Sequence, residues 1–142
     1  MNEIVVDASV IVKWFRSQNE PHVVQAALLR EKYEAGTIAV VVPSLLFLEL
    51  LNIAGRRWKL KAPPLVEFAR DLGALRFEIR DPELTSVAEW TARGLTAYDA
   101  AYVAIAASDR LKLVTDDEFV VQHAGKAAIA LSTLTAKALE TI

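Results

Sequence analysis

The chain has 142 residues, 54% of them apolar and 24% charged, with a formal net charge of -2. That length and composition describe one folded domain with a sizeable core and exclude a disordered chain. The near-neutral charge argues against a broad basic surface for duplex nucleic acid. The lack of cysteine excludes disulfides, thiolate catalysis and zinc-thiolate sites.

Met1-Asn2-Glu3 has neither the basic start nor the cleavage pattern of a signal peptide. The longest apolar stretch, Ile38 to Leu51, is broken by Pro43, Ser44 and Glu49 and is too short to span a bilayer. The expectation is a cytoplasmic protein of a single domain, residues 1–142, with no membrane segment.

Strand-like and helical patterns alternate along the chain. Residues 3–7 read as a first strand. Glu20 to Ala35 carries apolar residues at helical spacing, and Gly36 stops it. Thr37 to Val42 is β-branched and reads as a second strand. Pro43 and Ser44 start a helix expected to run to about Trp58, followed by the loop signal Lys59-Leu60-Lys61-Ala62-Pro63-Pro64. Pro64 opens a helix ended by Gly73, Leu75 to Ile79 is a sparser third strand, and Pro82 opens a helix ended by Gly94. Thr96 caps a helix reaching about Asp109. Lys112 to Thr115 and Ala128 to Leu131 complete the strands. Apolar strands separated by helices predict an α/β fold whose parallel sheet is covered on both faces. In such sheets, sites form beyond the carboxyl ends of the strands.

Acids occupy four places where a surface charge has no reason to be. Asp7 ends the run Ile4-Val5-Val6. Glu49 interrupts Leu45-Leu46-Phe47-Leu48 and Leu50-Leu51. Asp99 heads Ala100-Ala101-Tyr102-Val103-Ala104-Ile105, and Asp116 and Asp117 follow Leu113-Val114-Thr115. A carboxylate in an apolar element is costly unless paired, hydrogen-bonded or bound to a cation. Each has a bland alternative. Asp7 or Ser9 fits a helix N-cap, Thr96-Ala97-Tyr98-Asp99 fits a capping box, and either Asp116 or Asp117 can start a helix. Glu49, Asn52 and Arg56 can share a solvated stripe. Together, though, the acids fall at strand ends and helix starts on one side of the sheet. An acidic pocket without matching bases suggests a hard divalent cation such as Mg2+ or Mn2+. His22 and His123 read as surface residues. The run Arg56, Arg57, Lys59 and Lys61 reads as favourable placement at a helix C-terminus or as an RNA-backbone contact.

These segments resemble the four motifs of the PIN domain family, and within it a VapC-type toxin ribonuclease. They are Val6-Asp7-Ala8-Ser9, Pro43 to Asn52 around Glu49, Leu95 to Ala104 around Asp99, and Leu113-Val114-Thr115-Asp116-Asp117, similar to the family's Thr-x-Asp. The resemblance implies a three-layer α/β/α fold with a mainly parallel sheet of about five strands. It implies Mg2+ or Mn2+ held by Asp7, Glu49, Asp99 and a fourth acid. The Thr-x-Asp register makes that acid Asp117, with Asp116 in the variable slot. Ser9 and Thr115 would order carboxylates or water, and Asn52 would lie behind the ligands. The implied activity is hydrolysis of RNA by activated water, leaving 5′-phosphate and 3′-hydroxyl ends. The implied partners are a VapB-type antitoxin and a second copy in a homodimer, with Trp14, Phe15, Phe47, Leu50 and Leu51 as contact candidates or core residues.

A PIN nuclease of RNA processing, acting without an antitoxin, would share every site residue. A receiver-like phosphoacceptor also clusters aspartates with Mg2+. It needs a mid-sheet acceptor Asp and a late-strand Lys, which Leu75 to Ile79 does not supply.

Overall fold

The computed structural model describes residues 2–142. Five strands, β1 (Asn2–Val6), β2 (Ile38–Val42), β3 (Glu78–Ile79), β4 (Leu113–Thr115) and β5 (Ala128–Ala130), form one sheet in the order β3-β2-β1-β4-β5. Every adjacent pair is parallel, with Ile4 opposite Val40 and Val6 opposite Val114. Helices cover both faces, giving a three-layer α/β/α architecture. They are α1 (Ala8–Phe15), α2 (Val23–Glu34), α3 (Leu45–Asn52), α4 (Ala62–Gly73), α5 (Leu84–Ala92), α6 (Ala97–Asp109), α7 (Glu118–Ala124) and α8 (Ala136–Glu140).

The core follows from the apolar strands. Ile4, Val5, Val6, Val41, Val42, Leu113 and Val114 are all fully buried, as a central parallel sheet with covered faces requires. Trp14 joins this core, stacked on Tyr33 with ring centroids 5.5 Å apart and donating its indole N–H to Ala26 O at 2.9 Å. Leu50 is buried too. Burial removes Trp14 and Leu50 from the candidate partner contacts.

Several elements are shorter than their sequence patterns. Helix α2 begins at Val23 and not at Glu20, because His22 takes a left-handed conformation (φ 57°). The helix after Pro43 continues past α3 only as a π-helical turn, Ile53–Arg57, where Trp58 N–H reaches Ile53 O at 3.1 Å. Strand β3 retains two residues at the sheet edge, where few ladder bonds hold it. The segment after Pro82 becomes helical at Leu84.

Strand order places the site. From β1 the chain builds outward through β2 and β3, then crosses back to add β4 on the other side of β1. The reversal lies between β1 and β4, and a crevice opens at such a point beyond the strand ends.

Candidate active site

Asp7 leaves β1 at this crevice and caps α1, its Oδ1 accepting from Ser9 N at 3.1 Å and from Ser9 Oγ at 2.5 Å. The capping role and the site role therefore coexist in one residue. Its carboxyl is buried, and desolvation pushes its pKa up from 3.8 to about 7. The Ser9 and Thr115 hydroxyls oppose the rise, while the charges of Asp99 and Glu49 add to it.

Glu49 projects from α3 into the same cleft and accepts Tyr102 Oη–H at 2.6 Å. Partial burial raises its pKa, the Tyr102 bond lowers it, and Asp99 raises it. Asp99 sits in the first turn of α6, where its backbone N–H donates to Thr96 Oγ1 at 3.1 Å. The cap is thus made by the main chain of Asp99, leaving the side chain for the cleft. Burial raises its pKa, Thr96 opposes, and Asp117 raises it. These carboxylates raise one another's proton affinity as well as being desolvated, which places them in mutual electrostatic range.

The β4 end splits the adjacent acids. Thr115 is fully buried, and its Oγ1 accepts the Asp117 amide at 3.1 Å and lies 3.4 Å from Ser9 Oγ. Asp117 caps α7, accepting from Phe119 N at 2.9 Å and from Val120 N at 3.4 Å, and it lines the cleft. Asp116 instead pairs with Lys13 Nζ at 3.0 Å and His22 Nδ1 at 2.8 Å, and its amide donates to Ser9 Oγ at 2.9 Å. Asn52 is exposed and is not part of the cleft wall.

The cleft has a volume of about 410 Å³ and contains Asp7, Ser9, Glu49, Asp99, Asp116 and Asp117. Lys13, Glu20, Tyr102 and Arg57 also line it. The expectation of an acid pocket without bases needs correcting, since Lys13 and Arg57 both stand in the wall. Lys13 is almost fully enclosed and holds Glu20 Oε1 at 3.2 Å as well as Asp116. Sequence reading passed over Lys13, yet its signal was the one that exposed the acids, a charge inside the apolar run Val10-Ile11-Val12-Lys13-Trp14.

Among the described residues, no three acidic or imidazole side chains converge into a ready-made cation cage. The donor chemistry still fits a hard cation. The open acids Asp7, Glu49, Asp99 and Asp117 offer carboxylate oxygen alone, and Mg2+ keeps several waters while taking only one or two carboxylates.

The sequence pattern of the PIN domain family matches residues 4–126. The chain belongs to that family. PIN domains are nucleases. The PIN fold also appears in the structural relatives. The crystal structure of PAE2754 from Pyrobaculum aerophilum matches with a TM-score of 0.67 and 26% identity, over 98% of each chain. FitAcB from Neisseria gonorrhoeae matches with a TM-score of 0.66 and 19% identity, over 92% of this chain and 99% of that one. No curated protein matches the chain in sequence.

Proposed function

We propose that this PIN domain is a metal-dependent endoribonuclease, the toxin of a VapBC-type pair. The carrying observation is the convergence of Asp7, Glu49, Asp99 and Asp117 on one cleft, where burial and mutual repulsion raise the proton affinity of the first three. Clustered carboxylates of this kind are stabilised by a cation. Asp7, Glu49, Asp99 and Asp117 would hold Mg2+ or Mn2+, and the bound ion supplies Lewis acidity and positive charge for phosphodiester hydrolysis.

The chain's own groups set the geometry. Ser9 fixes the Asp7 carboxylate, Tyr102 orients Glu49, and Thr115 orders the backbone leading to Asp117. Among the described residues no histidine lines the cleft, and His22 reaches it only through Asp116. Carboxylates holding a cation favour activation of water over a 2′-hydroxyl. Water is then the nucleophile, and the products carry 5′-phosphate and 3′-hydroxyl ends.

A VapB-type antitoxin partner is supported by an apolar groove formed by Phe47, Leu51, Leu72, Leu75, Phe77 and Ile79 beside the edge strand β3. Such a groove suits the apolar face of a partner helix. A homodimer working in the cytoplasm completes the reading. No helix among the described residues is long and apolar enough to cross a membrane.

The deciding experiment is RNA cleavage with Mg2+ or Mn2+, with and without EDTA, followed by analysis of the product ends. Cleavage that persists undiminished in EDTA, or that leaves 2′,3′-cyclic phosphate, rejects the mechanism. Co-purification with the product of a small gene immediately upstream tests the antitoxin.

A further inference from the structure

A second groove, of about 440 Å³, adjoins the acid cleft. Val12, Glu20 and Arg57 line both, so the two are continuous. Their chemistry differs sharply. Arg16, Gln18, Asn19 and Trp58 complete the second groove in place of the carboxylates.

The arginines there are positioned and available. Arg16 lies over the Trp58 ring, with its guanidinium carbon 4.8 Å from the ring centroid. Trp58 is in turn backed by Phe68, at a ring-centroid distance of 5.8 Å, and Phe68 packs on Phe15. This stack anchors the guanidinium through cation–π attraction to a wall tied to the core. Among the described residues Arg16 forms no ion pair. Arg57 comes from the basic run after α3 and touches Glu20 Oε2 at 3.3 Å while remaining 59% exposed. An exposed pair of that length holds the side chain weakly and leaves most of its donors free. The other oxygen of Glu20 is taken by Lys13. A groove with two available guanidiniums, two amide side chains and one committed carboxylate recognises a phosphodiester.

We propose that this groove is a backbone subsite for single-stranded RNA, in which Arg16 and Arg57 bind phosphates flanking the bond cleaved in the acid cleft. The proposal rests on the nuclease reading for its direction, since a strand entering the cleft must continue past it. An acid cleft repels a polyanion, and cationic contacts beside it offset that repulsion without displacing the carboxylates. A groove with two cationic contacts on a chain of net charge -2 suits a single strand and not a duplex. Gln18 and Asn19 supply donors and acceptors for sugar or base edges.

The test is binding of a labelled, mixed-sequence single-stranded RNA oligonucleotide to the full chain carrying Asp99→Asn, measured across a salt series in Mg2+. Arg16→Gln and Arg57→Gln are each expected to raise Kd several-fold and to make the salt slope shallower by about one. Arg16→Lys keeps the charge and is expected to restore the slope, which separates lost phosphate contact from lost support of Trp58. Arg70→Gln on α4, away from both grooves, serves as the neutral control. Unchanged affinity and slope in both arginine variants overturn the subsite, as does a failure of the arginine-intact protein to bind the oligonucleotide.

Cleavage assays on the same substitutions, made without Asp99→Asn, keep the two readings apart. Wild-type KM in both arginine variants sinks the subsite and leaves the nuclease standing. Arginine-dependent binding without cleavage by the wild-type chain keeps the subsite and sinks the nuclease. Loss of a co-expressed protein partner with undiminished RNA affinity reassigns the groove to that protein and overturns the proposal.

Discussion

Lys13 Nζ lies 3.0 Å from Asp116 Oδ2, with side chains only 2% and 13% exposed, and this pair gives two adjacent aspartates different tasks. Asp116 is engaged by Lys13 and His22, and it acts on the cleft through its amide, which donates to Ser9 Oγ. Asp117 carries no ion pair among the described residues and faces the cleft. Asp117→Asn is therefore expected to lower RNA cleavage more than Asp116→Asn does. Stability should rank the other way. Asn caps a helix about as well as Asp, so Asp117→Asn changes the melting temperature little. Asp116→Asn leaves the enclosed Lys13 with Glu20 as its one carboxylate and costs roughly 1–2 kcal/mol, less than stripping a buried charge of every partner. Activity assays and thermal melts on the two variants check both rankings. Greater loss of cleavage in Asp116→Asn transfers the fourth acid to that position.

Ser9 and Tyr102 each hold one carboxylate through a short hydroxyl bond, at 2.5 Å to Asp7 and 2.6 Å to Glu49. Groups that orient ligating residues are commonly worth 10–100-fold in metal affinity or activity. Ser9→Ala and Tyr102→Phe are expected to lose activity by about that factor while folding normally. Titrating Mg2+ against cleavage rate distinguishes weaker metal affinity from a slower chemical step. Full activity in both variants shows that the acids need no such support.

The strands and acids were legible because both break a pattern. Val and Ile runs declare buried parallel strands, and a carboxylate within such a run declares a site. Asp7, Glu49, Asp99 and Asp117 line one cleft, and Asn52 is not in its wall. What escaped depends on contacts distant in sequence. Lys13 and Asp116 become partners only once α1 packs beside β4. The π-helical turn at Ile53–Arg57 has no composition of its own, since any helical stretch can shift one hydrogen bond. The capping-box spacing at Thr96 and Asp99 was real, but it said nothing about where the Asp99 side chain points. Thr96 satisfies the Asp99 amide, and the carboxylate lines the cleft.

The raised Asp7 pKa makes stability depend on pH in a set direction. In the unfolded chain the carboxyl titrates near 3.8, and in the fold near 7. Between these values the native state binds more protons than the unfolded state, so stability falls as pH rises through the window and levels off above it. Glu49 and Asp99 are shifted the same way and reinforce the trend. In EDTA the melting temperature should drop between about pH 4 and about pH 7, with a ceiling of about 4 kcal/mol from Asp7 over that whole window. Asp7→Asn keeps the helix cap and is expected to flatten the dependence while abolishing cleavage. A wild-type melting temperature that rises over this range contradicts the assigned burial of Asp7.

Asp99→Asn separates the metal role from the structural one. With no cation bound, Asp7, Glu49, Asp99 and Asp117 repel one another, and burial already penalises the first three. Neutralising Asp99 removes part of that repulsion. It costs no cap, because Thr96 Oγ1 accepts from the Asp99 amide, which the substitution leaves in place. In EDTA near neutral pH the variant should melt at or above the wild-type temperature. A cation that binds only the native state raises stability by mass action, so wild type should gain from added Mg2+. Asp99→Asn offers one carboxylate fewer and should gain less. Four thermal melts settle the matter, each protein in EDTA and in excess Mg2+. A variant that melts lower than wild type in EDTA yet keeps the full Mg2+ response would mean that Asp99 stabilises α6 and holds no metal.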